Sequence, residues 1–196
     1  MIQIIDIDLL VPFENHPFKE RSGIEQQELT ESIKENGLLE PIIVRPFPAG
    51  KYEIISGHRR VEACKALGIT RIPMTIKELT KDEAIVQMVD SNIHREHILP
   101  SEKAFAYKMK LVAMSHQGRK GFTSAQLGWK CVGKESRELI AEQVGQSRNQ
   151  ISRYIRLTEL IPEILEMVDN RKIALNPAVS ISYLDKKQQK LLYKVM

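Results

Sequence analysis

Apolar and polar residues alternate with two different periods in this chain, and the change of period divides it. Residues 2–10, IQIIDIDLL, partly alternate apolar with acidic side chains, as a strand with one covered face does. Residues 12–23 read as a loop. From Glu25 to Asn36 the period lengthens: Leu29 and Ile33 stand one helical turn apart, and Asn36-Gly37 supplies a helix stop. PIIVR at 41–45 is a strand, residues 47–50 a connection rich in Pro and Gly, and Tyr52 to Ile55 and Ile72 to Ile76 two further strands. Between these last two, Ser56-Gly57 predicts a sharp turn into a helix with Val61, Cys64, Ala66 and Leu67 as its apolar face and Gly68 as its end. Strands alternating with helices predict an α/β (α+β) domain over residues 1–98.

Beyond that only the helical period remains. Thr80-Lys-Asp-Glu83 is a capping box, in which hydroxyl and carboxylate each satisfy a backbone donor, and the helix it opens runs towards Asn92. The pattern then breaks into SNIHREHILPSEK. Pro100 restarts a helix, predicted to share Phe105, Met109 and Val112 on one face and to end near Gly118. Residues 136–157, SRELIAEQVGQSRNQISRYIRL, read as a helix-turn-helix: Leu139, Ile140, Ala141 and Val144 face inward from the first helix, Gly145 permits the turn, and Ile151, Tyr154 and Ile155 face inward from the second. Pro162 starts a helix with Ile164, Leu165 and Val168 inside, Asn176-Pro177 reads as an Ncap–N1 pair, and Asp185 caps a last helix. Residues 99–196 are thus expected to form a second, all-α domain.

Composition narrows the class. No apolar run approaches the roughly 18 residues of a membrane span, and the N-terminus carries acids where a signal peptide needs a basic start, so a cytoplasmic protein without a membrane partner is expected. Only Cys64 and Cys131 are present, without CxxC or clustered His, which suggests neither a disulfide framework nor zinc. The net charge of +4 hides a split: residues 1–100 hold 12 Lys and Arg against 16 Asp and Glu, residues 101–196 hold 17 against 9. The basic half is the one suited to a polyanion.

Three stretches carry candidate chemistry. Gly57 opening a helix leaves unpaired N–H groups, and Arg59 and Arg60 stand in the same turn, where cations oppose the helix dipole unless an anion or another contact compensates. The alternative is a solvated arginine pair. Asn92, His94, Arg95 and Glu96 form a polar cluster that capping does not explain and that an interhelical loop would also allow. In the helix-turn-helix, Ser147 is placed to cap the second helix, and Arg148, Asn149, Gln150, Ser152 and Arg153 face outward as donors and acceptors suited to base edges in a major groove. A hairpin used only for packing is the alternative there. The basic, glycine-rich residues 118–134 include Trp129, either a stacking platform or a small buried anchor.

In order and spacing these segments resemble the ParB family of DNA-partition proteins and its nucleoid-occlusion relatives. LTESIKENGLLEPIIVR resembles the family's first conserved box, SGHRRVEACKALG its G-E-R-R phosphate motif, and SNIHRE its E-N-x-x-R-E motif. The resemblance implies CTP bound with Mg²⁺, held by Gly57, His58, Arg59, Arg60, Asn92, Arg95 and Glu96, with Asn92 ligating the metal and Lys19 of NHPFK as an addition. It also implies double-stranded DNA carrying a centromere-like site, a homodimeric DNA clamp and a ParA-type ATPase partner. His58 and Ser91 stand where the family has Glu, so the resemblance implies a nucleotide held better than it is hydrolysed. Two other classes stay open: a nucleotide-dependent kinase or nuclease of the same fold, and a plain transcription regulator with a vestigial pocket. Sulfiredoxin-type repair needs Cys where Gly57 stands.

Overall fold

Strands β1 (Ile2–Asp6), β2 (Leu10–Val11), β3 (Ile42–Phe47), β4 (Lys51–Ser56) and β5 (Arg71–Ile76) form one mixed sheet in the order β1-β5-β3-β4-β2. β1–β5 and β3–β4 pair antiparallel, whereas β3–β5 and β2–β4 are parallel. The structure, a computed structural model, describes residues 2–19, 23–95, 97–119 and 136–196. They fall into two compact units, Met1–Ser91 and Asn92–Met196.

The expected single strand over residues 2–10 is broken. Asp6 accepts the Asp8 N–H on Oδ1 at 3.0 Å and so caps a 3-10 turn, Ile7–Leu9, that ends β1 and leads into β2 at the opposite edge. From Asp6 to Leu10 the chain spans at most about 14 Å, whereas a flat sheet would hold these edges about 19 Å apart. The sheet therefore curls strongly.

Helices α1 (Ile24–Asn36) and α2 (His58–Ala66) pack together, and the sheet residues Ile42, Val44, Ile72 and Met74 share a buried core with Ile33 of α1 and Val61, Ala63 and Cys64 of α2. Each Ile, Val and Met among them stabilises the unit by about 1.5–3 kcal/mol. Ala66, expected inside, is exposed, and Ala63 takes the inward position. Burial raises the pKa of the Cys64 thiol, partly offset by Arg60. Gly37 and Gly68 end their helices at φ 72° and 70°. The Thr80–Glu83 box forms as expected: Thr80 N–H donates to Glu83 Oε2 at 2.8 Å and Glu83 N–H to Thr80 Oγ1 at 3.3 Å, opening α3 (Lys81–Asn92).

In the second unit α4 (Pro100–Arg119) packs against α5 (Ser136–Gln143), α6 (Arg148–Arg156) and α7 (Pro162–Asp169). The face of α4 that carries Phe105, Met109 and Val112 is not its packed one, and Met109 is half-buried. Phe105 and Val112 are exposed, while Ala104, Ala106, Tyr107, Lys110 and Ala113 are buried. Alanines let the neighbouring helices approach closely, and the buried Lys110 donates through Nζ to Gln143 Oε1 of α5. Asp169 ties the start of α4 to the end of α7, accepting Ser101 N–H at 2.9 Å and Ser101 Oγ–H at 2.6 Å.

After α7 come α8 (Leu175–Ile181) and α9 (Lys186–Val195). Ala174, not Asn176, is the N-cap of α8, so Pro177 falls at its third position. That site tolerates proline because the first-turn N–H groups have no intrahelical acceptor. Asp185 caps α9 as expected, within a capping box with Gln188.

Candidate functional site

The turn from β4 into α2 is built around Gly57. Its φ of 107° is unfavourable to any residue with a Cβ, and a Cβ there would lie 2.7 Å from Ile42 Cδ1 and 3.3 Å from Arg60 Nη2. Glycine therefore lets the Arg60 fork lie across the turn. Arg60 Nη1 donates to the Glu40 carbonyl at 2.7 Å and lies 3.3 Å from the Glu40 carboxylate. Arg59 is held by α1: Nε donates to Gln26 Oε1 at 3.0 Å and Nη2 to the Glu25 carbonyl at 2.8 Å. These contacts answer part of the dipole cost of two cations in the first turn of α2. The pair is neither a loose solvated face nor left to an external anion alone.

His58 opens α2, and its Nε2 accepts the Phe13 N–H at 3.4 Å. The His16 ring lies edge-on to it, centroids 4.5 Å apart. Phe13 and Phe18 are buried, the contacts of Phe13 and His16 with His58 hold this stretch at the turn, and Lys19 next to it in sequence is exposed. Gln26, Glu40, Phe13 and His16 were not legible as neighbours of the turn. Their partners lie 20 to 45 residues away, and no local pattern connects them.

At the end of α3, Asn92 is nearly fully buried, and the Arg95 N–H donates to its carbonyl at 3.2 Å. Arg95 itself is exposed. Ser91 Oγ donates to the Met88 carbonyl at 2.9 Å. Glu96, Trp129 and Cys131 lie outside the described residues.

A triphosphate fits the donors of the Gly57 turn: helix N–H groups and two guanidiniums, each with five N–H donors in a planar fork. Mg²⁺ takes oxygen ligands and keeps several waters. Among the described residues no group of three or more His, Cys, Asp or Glu could hold a metal.

The helix-turn-helix forms as read. Gly145 has φ 64°, and Leu139, Ile140, Ala141 and Ile151 are buried. Ser147 Oγ accepts the Gln150 N–H at 3.1 Å and caps α6. Arg148, Asn149, Ser152 and Arg153 are exposed and Gln150 half-buried, so one face of α6 presents guanidinium, amide and hydroxyl groups outward. No helix among the described residues is long and apolar enough to cross a membrane.

Known proteins match both units. The ParB N-terminal domain family matches residues 1–93 and the ParB HTH domain family residues 133–196. The probable chromosome-partitioning protein ParB of Borreliella burgdorferi is 34% identical over 100% of this chain and 68% of its own length. The chromosome-partitioning protein Spo0J of Thermus thermophilus is 31% identical over 89% of this chain and 57% of its own. This chain therefore spans between about half and two thirds of these relatives. A crystal structure of C-terminally truncated ParB from Caulobacter crescentus, complexed to the centromeric parS site, shares the fold with a TM-score of 0.56 and 23% identity, covering 92% of this chain and 84% of that one. With a mixed-sheet unit, a helix-turn-helix unit and similarity along the whole of this chain to two thirds of a partition protein, the chain belongs to the ParB family.

Proposed function

We propose that this protein is a sequence-specific DNA-binding partition protein, acting in the cytoplasm on the nucleoid or a plasmid and switched by CTP with Mg²⁺. The observation that carries the DNA half is the exposed face of α6, where Arg148, Asn149, Ser152 and Arg153 follow the Ser147 cap. Arginine pairs in bidentate fashion with guanine and asparagine or glutamine with adenine, and the N-terminal end of a recognition helix is where base edges are met. Residues 99–196 are assigned to a centromere-like site in double-stranded DNA.

Residues 1–98 are assigned to the nucleotide. Gly57, His58, Arg59 and Arg60 hold its phosphates, Lys19 adds a cation, and Asn92, Arg95 and Glu96 serve the metal and the remaining phosphate charge. Bound Mg²⁺ supplies neutralisation of that charge. A nucleotide shifts an open–closed equilibrium only through different affinities for the two states, so the switch requires that these donors converge better in one of them. Two copies acting as a clamp and a ParA-type ATPase partner complete the assignment. Because His58 and Ser91 bring no carboxylate, the nucleotide is bound well and hydrolysed slowly.

Calorimetric titration of CTP with Mg²⁺ into the chain carrying Arg59→Ala and Arg60→Ala tests the nucleotide half. Binding is expected to vanish while operator binding survives, and unchanged CTP affinity would sink the assignment. Enrichment of one sequence from a random duplex pool tests the DNA half; no enrichment would refute it.

A further inference from the structure

Beside the recognition helix lies a concavity of about 350 Å³, lined by Arg137 of α5, Ser152, Arg153 and Arg156 of α6, Glu159 and Tyr183 among others. Three guanidiniums share it with one carboxylate. Glu159 is engaged chiefly by Lys108, whose Nζ lies 3.2 Å from its Oε1; the Lys108 hydrogen bond lowers its pKa most, with smaller contributions from the Lys186 and Arg156 charges. Among the described residues no ion pair holds Arg137, Arg153 or Arg156. Arg156 is nonetheless fixed: Nε donates to Ser182 Oγ at 3.0 Å, Nη2 to the Ser182 carbonyl at 2.7 Å, and the guanidinium lies 4.1 Å from the Tyr183 ring centroid. A pre-oriented guanidinium beside two others is the chemistry that binds a phosphate.

The placement says which phosphate. Asn149, Ser152, Arg153 and Arg156 follow the i, i+3, i+4, i+7 spacing of one helix face, so the concavity continues the base-reading stripe. From Asn149 to Arg156 the axis rises about 10.5 Å, close to the roughly 12 Å width of a major groove. With the N-terminal end of α6 at the base edges, the far end stands at the groove wall, where the sugar–phosphate backbone runs. We propose that Arg137, Arg156 and Tyr183 form a phosphodiester-binding cleft that grips the DNA backbone and sets the angle of the recognition helix. This rests on the DNA-binding reading above and adds to it residues that act on any sequence alike.

The test is binding of a random-sequence duplex and of the enriched duplex at stepped KCl, for the parent chain and for Arg137→Gln, Arg137→Lys, Tyr183→Phe and Tyr183→Ala. Arg137→Gln is expected to weaken both duplexes equally, by roughly tenfold, and to reduce the salt slope by about 1. Arg137→Lys should retain the slope. Tyr183→Phe keeps the stacked ring and should weaken binding less than Tyr183→Ala, which should weaken both duplexes without lowering the melting temperature enough to unfold the chain. An unchanged slope in Arg137→Gln, or a loss confined to the enriched sequence, overturns the cleft while leaving the DNA-binding reading intact. Weakened CTP binding with unchanged duplex binding also overturns it, by making the cleft a nucleotide subsite. A parent chain that binds no duplex overturns both.

Discussion

Arg59 and Gln26 hold each other by two bonds of opposite sense: Arg59 Nε donates to Gln26 Oε1 at 3.0 Å, and Gln26 Nε2 donates to the Arg59 carbonyl at 2.9 Å. One amide thus fixes both the guanidinium and the first turn of α2. Gln26→Ala is predicted to cost about 1–2 kcal/mol of stability and to weaken CTP binding. Gln26→Glu should weaken it further, because a carboxylate would compete with the phosphates for Arg59. Isothermal titration of both variants measures this, and equal CTP affinity in Gln26→Glu and the parent would remove Arg59 from the phosphate site.

Arg45 and Glu53 face each other across the β3–β4 ladder with Nε 2.6 Å from Oε2, and the Glu53 side chain is 3% exposed. Glu53→Ala strands the guanidinium and is predicted to cost about 3–5 kcal/mol. Replacing both residues by methionine should cost much less, since no charge is then left without a partner. Urea melts of the three proteins distinguish the cases, and a double variant as unstable as the single one would argue against the ion pair as the cause.

Ser147→Ala removes the cap on the Gln150 N–H and should cost about 1 kcal/mol, fraying the turn that carries Arg148 and Asn149. Ser147→Asp keeps the cap but adds a negative charge to the DNA face. Its melting point should hold while DNA affinity falls. Arg148→Ala or Gln150→Ala should relax base preference by about 1–3 kcal/mol at one position of the site. Uniform loss on every sequence would make them backbone contacts instead.

Tyr107 is buried among the helices, and burial first, then the neighbouring Tyr154, pushes its hydroxyl from 10.0 up to about 12. A raised pKa in the folded state means that this contribution to stability is complete below the unfolded value and is lost as pH rises through the folded one. The helical unit should therefore lose stability between pH 10 and about 12. Tyr107→Phe should flatten that part of the profile, and an unaltered alkaline profile would show that other groups govern it.

Wherever a local rule and the tertiary packing agree, the elements were legible in sequence. Gly57 and Gly145 mark turns that need positive φ, and Thr80–Glu83 and Asp185 mark helix starts through bonds made within four residues. The outward face of α6 was legible because a strongly polar stripe there contrasts with Ile151. On α4 the contrast is inverted: Phe105 and Val112 outweigh Ala104, Ala106 and Ala113 in apolarity yet lie outside, while the buried positions also include Tyr107 and Lys110. Apolarity alone does not mark the packed side of this helix. Asp6 was read as an outward strand residue, whereas its carboxylate closes its own turn. Nothing local to Arg59 or Arg60 names Gln26 or Glu40. Arg156 shares a legible stripe with Asn149 and Arg153, but Ser182 and Tyr183, which orient it, arrive from the end of α8.

The buried alanines of α4 also set the direction in which the helical unit can drift over generations. Most cores fail when a side chain is shortened, because a cavity opens. Ala104, Ala106 and Ala113 have almost nothing left to shorten, and their weak direction is growth: one added methylene at any of them has to displace a neighbour or strain a rotamer, at about 1–3 kcal/mol. Substitutions should accumulate freely at Phe105 and Val112 and hardly at all at these three alanines. The least conspicuous residues of α4 are then among those that decide how closely its neighbours can approach it.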